Sequence, residues 1–477
     1  MVAPNCGSVL DGPLDYWRFH RQIAAAANAV DPLGFQVEDA HSARLDRRAR
    51  LWWNSGAQLT GTIVGRLSRA AGLLVSARFL GPALFGEVAT ALAGYEMLRV
   101  MGEGGLDTRL IRQVAGSPDR TWVEARRTLV IKFAIYVVLL ALGICGAAVA
   151  TGWRGAEVFL AVSAGVFGLG LSGTAQAVVT GRLEAHTFVP YQVIAGLIFL
   201  AIVVVVASKT ANPVLVALAI GIGDTAGGAV AAVYLRRTVE RPQVPTPPPA
   251  PWVALREALP IGAVAILATT YARLGIALLA HRWGPAGVAQ YGVSYRVVEV
   301  FLLASSAVAG SVYAVTAQAE ATGGTAESRN LLADLLQRMG LAILAVGVAA
   351  AVAATGFPLA FGRSYMPAVA TTRVLAFALP PMFVNSLLTA HLYGRGEYRR
   401  VLEIALINLA TNVVALVILV PTWGPVGVAM AVVLTECGNT VLQSRAARVG
   451  FGTWSWRIAA LSLVGGATAF LKAIHDR

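Results

Sequence analysis

Long apolar runs, broken by short loops that carry arginine, set the pattern of this chain. The stretches Phe188 to Val206 and Val413 to Leu434 each approach or exceed the ~20 residues that cross ~30 Å of hydrocarbon. Comparable runs recur near 55–80, 83–105, 128–150, 156–180, 187–207, 212–235, 256–280, 288–316, 331–355, 368–392, 400–420 and 425–445. A weaker thirteenth segment runs from Trp456 to Ile474. The expected fold is all-α and polytopic, with about twelve transmembrane helices in two six-helix lobes.

Composition supports the same class. Hydrophobic residues make up 57% of the 477 and charged residues 13%, against about 25% charged in a soluble domain. The net charge of +13 is almost all arginine, the lysines being Lys132, Lys209 and Lys472. These arginines punctuate apolar segments and build no solvated basic domain, so no nucleic-acid partner is expected.

Their distribution sets a topology. Arg44, Arg47, Arg48 and Arg50 precede the first helix, and Arg112, Arg120, Arg126 and Arg127 lie between the second and third. Arg236, Arg237 and Arg241 follow the sixth, Arg395, Arg399 and Arg400 the tenth, and Arg445 and Arg448 the twelfth. The alternate loops hold mostly single charges: Arg78, Arg154, Lys209, Arg282 and Arg363. By the positive-inside rule the N-terminus of this multi-pass protein is cytoplasmic.

Five regions follow. Residues 1–50 lack an apolar signal-peptide core and read as a cytoplasmic tail. Residues 51–235 form a first lobe. The proline-dense 236–252 cannot continue a helix and reads as a cytoplasmic linker. Residues 253–445 form a second lobe, and 446–477 carry the extra helix. Leu80-Gly81-Pro82-Ala83 in the first lobe matches Trp283-Gly284-Pro285-Ala286 in the second, and Gly181-Arg182 matches Gly394-Arg395 at a similar offset. The halves therefore read as parallel repeats enclosing a central site.

Three stretches resemble a known family. RFLGPALFGEVATALAGYEMLRVMGEGGLDTRLIRQVAG (Arg78 to Gly116) resembles the N-terminal signature of bacterial polysaccharide transporters. These are the Wzx-type flippases of the multidrug/oligosaccharidyl-lipid/polysaccharide (MOP) superfamily. GVAQYGVSYRVVEVF (Gly287 to Phe301) resembles a helix of the second half, and Leu392 to Glu436 resembles their late signature. Much of that family carries a further C-terminal helix pair, of which this chain offers one helix. The resemblance implies movement of an undecaprenyl-diphosphate-linked oligosaccharide across the inner membrane, for exopolysaccharide, O-antigen or capsule assembly. It implies that lipid-linked cargo, membrane lipids, a polysaccharide polymerase and other assembly proteins as partners.

Such cargo needs cations along a polar path. Arginine within the membrane is costly and usually faces a cavity or a partner, and its planar fork suits phosphate. Arg66 and Arg69 share a helix face, with Arg66 nearer the membrane edge, and alignment of the Gly-Pro turns puts Arg273 beside the position of Arg69. With Arg296 they are the candidate substrate-binding residues, the alternative being arginines that snorkel to the interface. Glu299, three residues after Arg296, and Glu96, three before Arg99, read either as intrahelical ion pairs or as ion-coupling groups. Asp224, deep in a Gly-rich run, is a third coupling candidate; Glu436 sits in the corresponding helix of the second lobe and reads as closing that helix near cytoplasmic arginines, with coupling as the alternative. Asn385, Asn408 and Asn412 read as interhelical hydrogen-bond partners.

Other chemistries lack their motifs. Gly165, Gly168, Gly170 and Gly173 precede no Gly-Lys-Ser/Thr and read as close packing. His186, His281 and His391 are isolated, and Cys6, Cys145 and Cys437 are far apart. No cofactor is expected, and no loop carries the acidic constellation of a glycosyltransferase. The surplus of intramembrane arginine favours anionic cargo over a multidrug or metabolite exporter of the same superfamily. A lipid II flippase shares the arginine logic but fits the late signature less well.

Overall fold

In a computed structural model of the chain, the described residues are 37–182, 184–239, 251–321, 325–450 and 454–475. Their regular structure is helical throughout: α1 (Val37–Glu103), α2 (Leu106–Gly116), α3 (Thr121–Ser163), α4 (Val166–Arg182), α5 (Ala185–Lys209) and α6 (Pro213–Thr238) come first. They are followed by α7 (Pro251–Ala321), α8 (Thr325–Val352), α9 (Gly356–Phe361), α10 (Ala368–Ala376), α11 (Leu379–Gly394), α12 (Tyr398–Ala446) and α13 (Trp454–His475). Eight described segments are long and apolar enough to cross a membrane, nine if the bent pair α10 and α11 counts as one. The all-α, polytopic class read from the sequence is the one observed.

Four helices are too long for one crossing, and each folds back on itself at a single glycine. Gly81 (φ 72, ψ 174) divides α1, Gly152 (φ 76, ψ 178) α3, Gly284 (φ 64, ψ −172) α7 and Gly424 (φ 56, ψ −129) α12. A positive φ with ψ near 180° is essentially reserved for glycine. At Gly81, Gly284 and Gly424 the next residue is proline, which bars α geometry before it and starts the following helix. The fold-back is visible in α1, where Arg69 and Glu96 approach to 3.9 Å. A straight helix would hold those positions about 40 Å apart. In α12, Asn412 Nδ2 donates to Thr435 Oγ1 across the turn at 3.3 Å.

α1 to α6 form one lobe and α7 to α13 the other, and the α1 and α7 hairpins supply most of the contact between them. On the side of the glycine turns, Tyr365 donates to the Ala77 carbonyl at 2.9 Å and meets the Phe85 ring edge-on. There Gly86 lies so close to Pro285 that an added Cβ would stand 1.7 Å from the proline carbonyl oxygen. On the opposite, arginine-rich side, Gly104 and Gly105 abut Ala258 and Gly262 of α7.

The ends of the expected regions shift. The helix begins at Val37, so the last part of the tail assigned to 1–50 is helical, while residues 1–36 lie outside the described residues. α6 continues to Thr238 and α7 starts at Pro251, at the two ends of the expected linker, whose residues 240–250 also lie outside. The C-terminal segment is a helix of 22 residues that is long and apolar enough to span.

Candidate functional site

Charged side chains on both hairpins meet where the lobes face each other. Arg69, on the first arm of α1, is held by Asp224 of α6 through two hydrogen bonds, Nη1 to Oδ1 at 2.6 Å and Nη2 to Oδ2 at 3.1 Å. Tyr95 donates its hydroxyl to the same Oδ2 at 2.8 Å, and the Arg69 guanidinium lies 5.3 Å from the centre of the Phe199 ring. α6, which carries Asp224, packs tightly on α4. A Cβ on Gly168 would stand 2.4 Å from the Asp224 carbonyl oxygen. The glycines Gly165 and Gly168 thus act as packing surface, as their context in the sequence suggested.

From Arg69 the charges alternate along the second arm of α1. Glu96 lies between Arg69 and Arg99, whose Nε donates to it at 2.9 Å, and Arg99 also donates to Glu103 at 2.8 Å. One turn further, Asp107 of α2 accepts from Lys132 of α3 at 2.6 Å. Lys132 is fully buried and also reaches Thr174 and the Gly170 carbonyl. Charges of this kind are tolerable at membrane depth because each one has a partner.

The second lobe repeats the pattern with different chemistry. Glu436, in the second arm of α12, accepts from Tyr271 of α7 at 2.9 Å and from Asn385 Nδ2 at 2.7 Å. It is buried, and its helix runs on to Ala446. The expectation that Glu436 closes its helix among cytoplasmic arginines is therefore corrected: it lies well inside the helix, in the place that corresponds to Asp224 in the sequence. Arg296 is ion-paired to Glu299 within one helix.

Arg273, one residue off the position of Arg69 in the aligned hairpins, differs. Of the arginines Arg69, Arg99, Arg273 and Arg296, it alone has no carboxylate partner among the described residues, and its Nε is buried without an acceptor. It lies within electrostatic reach of Glu96, Tyr291 and Tyr295, so it acts across the lobe interface. Arg66 does not join this group. Its side chain is exposed and has no partner among the described residues, although it shares a helix face with Arg69.

Sequence reasoning named Arg69, Arg273, Glu96, Asp224, Arg296 and Glu299, of which the structure brings Arg69, Glu96 and Asp224 together and pairs Arg296 with Glu299. It missed Tyr95, Glu103, Asp107, Lys132 and Tyr271. The run Glu96, Arg99, Glu103, Asp107 keeps nearly one helix face and was a readable signal, whereas the tyrosines carried none. Asn385 and Asn412 do bond between helices. No group of three or more His, Cys, Asp or Glu among the described residues is arranged to hold a metal.

A family profile described as polysaccharide biosynthesis protein matches residues 51–320, from the start of the membrane region through α7. No curated protein matches the chain in sequence. Among solved structures, a eukaryotic MATE transporter is similar with a TM-score of 0.65 at 14% identity, covering 88% of this chain and 99% of its own. An inward-facing multidrug resistance MATE family transporter of the MOP superfamily gives 0.62 at 15% identity, covering 86% and 95%. A MOP superfamily transporter from Pyrococcus furiosus, described as having a binding pocket of reverse polarity, gives 0.61 at 17% identity, covering 86% and 96%. The chain thus shares the MATE fold over nearly its whole membrane portion.

Proposed function

This chain belongs to the polysaccharide biosynthesis protein family, and on that premise we propose that it is a flippase for an undecaprenyl-diphosphate-linked oligosaccharide. It works in a bacterial inner membrane, with its N-terminus in the cytoplasm, and moves the headgroup from the cytoplasmic to the periplasmic leaflet. The observation that carries this reading is Arg273, a guanidinium between the lobes with a buried Nε and no carboxylate partner among the described residues. A group of that kind is complementary to a phosphate oxygen arriving from outside the protein.

Charge balance extends the reading. A diphosphate diester brings two negative charges, and Arg273 answers one. The second is answered by Arg69, on the matching arm of α1, once the cargo displaces the Asp224 carboxylate that holds it. Asp224 and Glu96, which hold Arg69 between them, are the groups through which a coupling ion would act on cargo binding. Glu299, tied to Arg296, is a coupling group of lesser reach. Rocking of the lobes presents the site to each side in turn, and the released cargo passes to a polymerase and other assembly proteins.

The test is mass spectrometry of polyprenyl-linked saccharides from a strain lacking the protein, complemented by wild-type or Arg273→Gln protein at equal membrane levels. One undecaprenyl-diphosphate oligosaccharide should accumulate in the deletion strain and in the Arg273→Gln strain, with the surface polymer absent. An unchanged lipid profile in the deletion strain would refute the cargo. Full complementation by Arg273→Gln would refute the site.

A further inference from the structure

A cavity opens in the C-terminal lobe on the side of the glycine turns. It has a volume of about 1210 Å³ and is walled by Trp283, Val352, Phe377 and Val426, with Arg373 and Lys472. Trp283 immediately precedes the Gly284 turn and Val426 follows the Gly424 turn, while Lys472 lies in the last turn of α13. The cavity therefore sits at one membrane face, opposite the arginine-rich loops.

Its chemistry is two-sided. Most of the walls are valine, alanine and aromatic side chains from five helices, and no carboxylate among the described residues lines it. Arg373 comes from α10 and Lys472 from α13, so two separate helices each bring a cation to the cavity wall. Arg373 donates to Thr355 Oγ1 at 3.2 Å, which fixes the guanidinium while leaving further N–H donors unused. Lys472 is exposed and has no ion pair among the described residues. Snorkelling accounts for a lone lysine near a helix end, but not for a second cation, anchored by a hydrogen bond, within the same apolar hollow.

We infer that this cavity is a binding site for an anionic phospholipid of the outer leaflet of that membrane. Its phosphate sits between Arg373 and Lys472, and an acyl chain lies along the valine and aromatic walls. A free anion would gain the charge contact but leave the apolar surface unfilled. A zwitterionic lipid would fill the surface but offset the charge contact with its own cation. The volume exceeds the roughly 300–1,000 Å³ of a small-molecule pocket, as a headgroup with part of its chain requires. None of this depends on what the central site carries.

The test uses the full chain in detergent, given equal amounts of phosphatidylglycerol and phosphatidylcholine, with retained lipids counted by native mass spectrometry. The wild-type protein should retain phosphatidylglycerol preferentially, and each cation removed should lower that retention about fivefold. Lys472→Gln, at an exposed position, tests the site without threat to folding, and Arg373→Gln with Lys472→Gln tests both charges. Arg373→Lys should restore most of the binding. Equal retention of the two lipids by the wild-type protein would overturn the inference, as would undiminished phosphatidylglycerol on folded Lys472→Gln and double variants. Thermal stabilisation by inorganic phosphate equal to that by phosphatidylglycerol would also overturn it, in favour of a simple anion site.

Discussion

Arg69 and Arg273 occupy almost matching places on the first arms of α1 and α7, yet one is neutralised and the other is not. Removing them should therefore have opposite effects on stability. Arg69→Ala strands Asp224, a nearly buried carboxylate, and should cost about 3 kcal/mol, the lower end for breaking a buried pair because Arg69 is itself a quarter exposed. Arg273→Ala removes a charge that has no partner to strand, so the purified protein should melt no earlier than wild type while export fails. Thermal unfolding of both variants in detergent, beside an export assay, checks this. Equal losses of stability would mean that Arg273 has a protein partner after all. The charged members of the site were legible in the sequence because any charge stands out within an apolar run. Their pairings were not, because Arg69 and Asp224 lie 155 residues apart and meet only through tertiary packing. Tyr271 and Glu436 were misread or missed for the same reason: which face a tyrosine or a terminal glutamate presents depends on helix rotation.

Among elements, the glycine hairpins govern how the helices are connected. Gly81 has open space around its missing Cβ, so Gly81→Ala meets no steric clash. It still forces alanine to φ 72 and ψ 174, and should cost about 1–3 kcal/mol of stability with the interface left intact. Gly86 is the reverse case: its backbone is ordinary, but an added Cβ collides with the Pro285 carbonyl across the lobes. Gly86→Ala should spare the fold of each lobe and loosen the contact between them. Thermal unfolding combined with limited proteolysis separates the two, with Gly81→Ala lowering the melting temperature and Gly86→Ala exposing new cleavage sites near the turns. Three of the four hairpin glycines precede proline and could be read as turns from the sequence. Gly152 precedes Trp153 instead, and there only the loss of apolar character marked the break.

At the scale of the whole molecule, the two lobes share a plan but not its chemistry. Glu436 is satisfied by tyrosine and asparagine where Asp224 takes an arginine, and Arg273 has no carboxylate partner among the described residues. The repeat in the sequence announced two lobes but gave no account of what holds them together on the arginine-rich side. There Arg109 of α2 donates to Glu124 of its own lobe at 2.8 Å and to Glu257 of the other at 2.7 Å. Burial disfavours the Arg109 charge, but hydrogen bonds to the two glutamates more than offset this and raise its pKa above the ordinary value. Arg109 and Glu124 are nearly buried and Glu257 is half exposed, so the inter-lobe bond is the weaker one and the one that can open. Glu257→Gln keeps the Arg109–Glu124 pair and should cost no more than about 1 kcal/mol of stability. It should nevertheless shift the lobes toward the state open on this side. Spin labels at the exposed positions Thr108 and Val253 read that distance directly. A longer and broader distribution in Glu257→Gln than in wild type is the expected outcome. An unchanged distribution would mean that the glycine contacts of Gly104 and Gly105 with α7 hold this side shut without the ion pair.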